Sequence, residues 1–124
     1  PDANALRRYL KMLYDRAATP DKAPRYLLLM GKSPWDNRFV TEEWKNANVD
    51  DYLLAYEYDA STQSIGTVSS FVTDDFYALL DDGEGKYIYS EKVDLSTGRM
   101  VCTTEEEAKI FVDKVERYLK NELS

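Results

Sequence analysis

The chain has 124 residues, a net charge of −7 and no histidine. That charge argues against a general nucleic-acid binder or an anionic-membrane binder, either of which needs a basic footprint. Without histidine, no Ser-His-Asp or Cys-His site and no histidine-rich zinc site can be built from these residues alone.

One cysteine, Cys102, permits no internal disulfide. No apolar run is long enough to span a membrane, and the length suits one domain. The first residue is Pro1, and no secretory leader pattern follows it. The sequence therefore reads as a segment of a longer protein, or as a processed product.

Asp2 or Asn4 can cap a helix running to about Ala18. Leu6, Leu10, Leu13, Tyr14 and Ala17 form its apolar stripe. A breaker segment, TPDKAP, follows at 19–24. Residues 26–30 (YLLLM) form a short apolar run between Pro24 and Gly31, as expected of a strand buried on both faces in a parallel sheet. In such sheets ligands gather beyond the carboxyl ends of the strands, so residues 31–38 (GKSPWDNR) are the first place to look for function. Gly31-Lys32-Ser33 invites a phosphate-loop reading. The motif needs another glycine five positions earlier, where Tyr26 stands, so a strand-ending turn is the better reading.

Residues 40–48 can hold a short helix with Thr41 as cap. Residues 52–58 (YLLAYEY) read as a second strand. Residues 59–64 are loop-like and 65–72 weakly extended. Residues 76–80 (FYALL) are a third apolar run. The turn at 81–85 (DDGEG) carries Asp81, Asp82 and Glu84, whose spacing does not match a calcium-binding helix-loop-helix loop. Residues 86–93 can pair back, and 94–101 (DLSTGRMV) give the last strand. Thr104 and Glu107 form a capping-box pattern that opens a second helix. Its stripe is Ala108, Phe111, Val112, Val115, Tyr118 and Leu119.

Three constellations could carry chemistry. Asp74 and Asp75 could bind a cation or act as an acid–base pair, although aspartates before an apolar run commonly cap a turn. Arg99 could sit beside a substrate anion, or brace the fold by pairing with Asp74, Asp75 or Asp94. Cys102, ahead of a helix N-terminus, could have a lowered pKa, but it lacks a histidine partner and reads as a small semi-buried residue.

The order of motifs is YDRA at 14–17, RYLLLMG at 25–31, WDNR at 35–38, FVTDDFYALLDD at 71–82, and DLSTGRMVCTTEEEAKIFVDKVERYLKN at 94–121. This resembles the gingipain-like cysteine peptidases of clan CD, peptidase family C25, including the PorU-type enzymes of the type IX secretion system. In those, a strand ending in a Gly-Asp-Gly-Ser-Tyr-Asp-Asn-like loop precedes a Ser-Asp-Asp-Tyr-Tyr-like segment. A Gly-Arg-Leu-Pro-Val-like strand end then leads into a helix opening Thr-x-Glu-Glu-Ala. Lys32 stands here for the family's loop aspartate, and Pro34-Trp35 for Ser-Tyr.

The resemblance implies a Rossmann-like, caspase-like three-layer α/β/α fold and calcium in some members. It implies a secreted, periplasmic or cell-surface setting and a histidine–cysteine dyad that lies C-terminal to residue 124. The expectation is a single α/β unit over residues 1–124, with a mostly parallel sheet of about four strands and right-handed crossovers. It would be the N-terminal portion of a peptidase domain acting on polypeptides, needing no cofactor of its own and inactive alone. Asp36, Asn37 and Arg99 would border the cleft, and Asp74 and Asp75 would be the metal candidates. The isolated piece would pack against the remainder of the domain or self-associate. The rival expectation is a non-catalytic protein- or glycan-binding module, to which tyrosine-rich surfaces are suited.

Overall fold

The computed structural model describes residues 2–58 and 71–122. Helix α1, Ala3–Asp15, starts where the Asp2 side chain accepts from Asn4 N–H at 2.9 Å. It ends before Thr19, whose backbone is extended because Pro20 follows. Strand β1, Tyr26–Met30, pairs in parallel with β4, Ser96–Met100, in the register Tyr26 to Ser96 through Met30 to Met100. Strand β2, Tyr56–Tyr58, pairs antiparallel with β3, Phe71–Thr73. Helix α2, Glu105–Leu119, follows β4 and has both halves of the capping box, from Thr104 and Glu107. The expected class, α/β with a parallel sheet, is what the chain adopts. Its four described strands lie in two pairs, and most of residues 65–72 fall outside the described segments.

Packing differs from expectation in one respect. The expected doubly buried strand, β1, has one face open: Tyr26, Leu28 and Met30 are 77%, 57% and 62% exposed, while Leu29 is buried. The centre of the core is the run 76–80 instead. Tyr77, Ala78, Leu79 and Leu80 have no exposed surface, and Leu10, Leu29, Ile88 and Leu95 close around them. This run is no strand: Asp75–Ala78 make one tight helical turn and Leu79 is extended.

A buried backbone must still find hydrogen-bond partners, and here side chains supply them. Arg7 Nε donates to Leu79 O at 2.8 Å, Lys11 Nζ to Leu80 O at 2.9 Å, and Leu80 N–H to Asp94 Oδ2 at 2.6 Å. The polar stripe of α1 thus serves the core as directly as its apolar one. Within residues 86–93 a turn forms in place of a strand, with the Glu91 carboxylate accepting from Gly85 and Tyr87 N–H.

Candidate functional site

The carboxyl ends of β1 and β4 open onto a cleft of about 300 Å³ between Met30, Gly31, Asp50, Leu53, Cys102 and Thr104. Its floor is continuous backbone. Gly31 N–H donates to Met100 O at 2.9 Å, and Lys32 N–H to Cys102 O at 3.0 Å, extending the β1–β4 ladder past both strands. A phosphate loop would aim these N–H groups at the ligand. Here β4 and its extension take them, which removes the phosphate reading. Gly31 is required twice over. Its φ is +148°, and a Cβ there would meet Leu53 Cβ at 3.0 Å.

One wall is Leu53, which opens the stretch 53–55 in the first half of the expected strand 52–58. Only Tyr56–Tyr58 form a strand, because the preceding residues are bound mainly by side chains. Leu53 N–H donates to Lys32 O at 2.9 Å. Leu53 O accepts from Arg99 Nη1, and Leu54 O from Arg99 Nη2 and the Tyr77 hydroxyl. Ala55 N–H donates to Ser33 Oγ at 3.1 Å, and Asn37 Nδ2 donates to Ala55 O at 2.9 Å. Burial of the Tyr77 ring, with the Asp74 carboxylate adding to it, pushes its phenol up to about 12.

Asp36 is buried and staples the loop beneath. Its Oδ1 accepts from Arg38 N–H at 3.1 Å, and its Oδ2 from Val40 and Thr41 N–H, both at 2.8 Å. The backbone N–H of Thr41, with those of Arg38 and Val40, holds this carboxyl below its ordinary range, against the opposing effect of burial. The expected helix over 40–48 is replaced by turns. Phe39 at φ 55° breaks the path, and the rings of Phe39, Trp44 and Tyr52 pack edge-on or tilted in a triangle.

Arg99 reaches across the cleft's base from β4. Nε donates to Asp74 Oδ2 at 2.8 Å and Nη2 to Asp74 Oδ1 at 2.6 Å, a two-point ion pair. Nη1 also donates to Gly31 O at 2.8 Å. Both oxygens of Asp74 are engaged by this pair, whereas Asp75 is exposed and its N–H donates to Thr73 Oγ1 at 3.1 Å. The acids that do converge are Asp81, Glu84 and Asp94, one oxygen of each lying within 4.8 Å of the others. The three oxygens that converge are at most half of the roughly six to eight that calcium takes. Two of them already hold backbone N–H groups, Glu84 that of Asp81 and Asp94 that of Leu80. The demonstrated work of this cluster is to close the turn.

Peptidase family C25 matches residues 1–124, the whole chain. The chain belongs to peptidase family C25. Among solved structures it is similar to dimeric latent PorU from Porphyromonas gingivalis, at 37% identity and a TM-score of 0.77 over 95% of this chain. The match covers 11% of the PorU chain. No curated protein matches. Family membership agrees with the motif order in the sequence, and the α/β arrangement agrees with a caspase-like fold. Of the residues expected to border the cleft, Asn37 and Arg99 bind successive carbonyls of the segment 53–55, whereas Asp36 holds only the turn at 38–41, and none of the three lines the cleft itself. Ser33, Tyr77 and the segment 53–55 were missed. Their signal was present only in the strand-like pattern of 52–58, whose first half lacks a partner strand. No described helix is long and apolar enough to cross a membrane.

The staple at Asp36 has a pH signature. A carboxyl whose folded pKa is depressed stabilises the fold above its unfolded value and loses that contribution as pH falls through the folded value. Glu107, whose carboxylate accepts first from Thr103 N–H, behaves alike. Urea midpoints should therefore fall through the acid range, and Asp36→Asn should lie below wild type near neutrality but converge with it in acid. Parallel curves would show that the staple does not titrate with folding.

Proposed function

We propose that this chain is the N-terminal α/β portion of the peptidase domain of a secreted gingipain-like cysteine endopeptidase, and that it acts as scaffold, not as catalyst. The observation that carries the reading is the absence of histidine from a chain matched along its whole length by a peptidase family. Cys102, half-buried, has no general base within this chain to activate it. The dyad, the polypeptide substrate and the periplasmic or cell-surface setting belong to the parent.

The isolated chain, assayed with a thiol reductant on peptide substrates, should give no turnover. Turnover abolished by Cys102→Ala would overturn this reading.

The remainder of the domain is the natural partner of the apolar surface that this chain leaves open. That surface comprises the outer face of β1 together with Ile110, Val112, Val115, Tyr118 and Leu119 of α2, a helix with no buried residue. Without that partner the chain should self-associate. Sedimentation velocity should show mass rising with concentration and Leu28→Lys weakening the trend. A monomer throughout would show that these faces are not adhesive.

A further inference from the structure

We infer that Arg99 is the positioning residue of the cleft at the carboxyl end of β1, holding its wall at Leu53 in place from behind through the carbonyls of Leu53 and Leu54. A guanidinium carries five N–H groups. Those of Arg99 make five bonds, two to Asp74 and one each to the carbonyls of Gly31, Leu53 and Leu54. No donor remains for an anion in the cleft, so Arg99 does not contact a ligand. Its acceptors instead define what it does. Gly31 O belongs to the cleft floor, Leu53 O to the wall, Leu54 O to the residue that follows it, and Asp74 to the segment entering the core run.

Residues 53–55 lie outside any strand, and besides Leu53 N–H on Lys32 O their bonds run to side chains, of which Arg99 makes two. Asp74 fixes the guanidinium plane by its two-point pair. The Tyr77 hydroxyl, on the same Leu54 O at 2.8 Å, is the second tie on that carbonyl, and Lys32 O, Ser33 and Asn37 hold the neighbouring groups. Loss of the first tie therefore opens the wall locally, without unzipping β1 from β4. That this cleft faces substrate in the parent rests on the function proposed above; the positioning itself does not.

The only cysteine reports on it directly, because Cys102 lines the same cleft as Leu53. In the isolated chain, Arg99→Lys keeps the charge but loses the fork. It should accelerate alkylation of Cys102 about tenfold or more, at a rate insensitive to low urea, as local opening requires. Tyr77→Phe retains the buried ring and removes one tie, and should give a smaller acceleration of the same kind. If Arg99→Lys does not fold, Tyr77→Phe decides alone. Unchanged labelling, or acceleration with the full urea dependence of global unfolding, overturns the inference. In the parent enzyme Arg99→Lys should raise KM for a peptide substrate with kcat nearly constant. A lower kcat at unchanged KM overturns positioning of a substrate-facing wall. A parent without peptidase activity would refute the proposed function and leave the thiol result standing.

Discussion

Arg99→Met should lower the folding stability of this chain by about 3–5 kcal/mol, the usual consequence of stranding one partner of a largely buried ion pair. Arg99 and Asp74 are 11% and 21% exposed at their side chains, so solvent screens the pair little. Equilibrium urea unfolding followed by tryptophan fluorescence would measure the loss. A companion variant separates two contributions. Removing both charges, as in Arg99→Met with Asp74→Leu, often restores the stability lost on breaking a buried pair. Here recovery should be partial, because the carbonyls of Gly31, Leu53 and Leu54 also lose donors. Full recovery would mean that the ion pair alone matters. A loss in Arg99→Met below about 1 kcal/mol would place the pair with ordinary surface salt bridges.

Leu79→Ala should cost about 2–5 kcal/mol, the range for emptying a closed aliphatic site. Leu79 has no exposed surface, and its own carbonyl is tied to Arg7. The site therefore cannot collapse easily around the missing atoms. Leu28→Ala, in the middle of β1 but 57% exposed, should change stability by no more than about 0.5 kcal/mol. The same urea experiment compares them. A larger loss at Leu28 would restore β1 as the centre of the core.

The difference between those two leucines marks what was legible in the sequence. Helices were, because a 3.6-residue stripe and a cap are local: Asp2 and the Thr104–Glu107 box begin α1 and α2 where their patterns do. Of the two five-residue strands, β1 was legible by its apolar content between Pro24 and Gly31, while β4, with Met100 as its one apolar residue, was legible by its place ahead of the α2 cap. Apolar content alone could not tell which run would be covered, since coverage depends on elements far away in sequence. The runs 52–58 and 76–80 were harder still. Both have strand composition, but outside β2 many of their backbone groups are bound by the side chains of Ser33, Asn37, Tyr77, Arg99, Arg7, Lys11 and Asp94. Periodicity carries no record of such bonds. At the candidate site, a bracing role for Arg99 was readable from Gly98-Arg99 and the nearby aspartates. Its three carbonyl acceptors were not, because carbonyls are common to every residue.

The parallel ladder also dictates the order in which the molecule can assemble. Among the described residues β1 finds its partner in β4, with Tyr26 set against Ser96 and most of the chain between them. Closing so long a loop costs conformational entropy before any ladder bond repays it. During synthesis β1 leaves the ribosome long before its partner exists. Through that interval the nascent chain carries an unpaired apolar strand, and α1, whose helical hydrogen bonds are local, is the element free to form first.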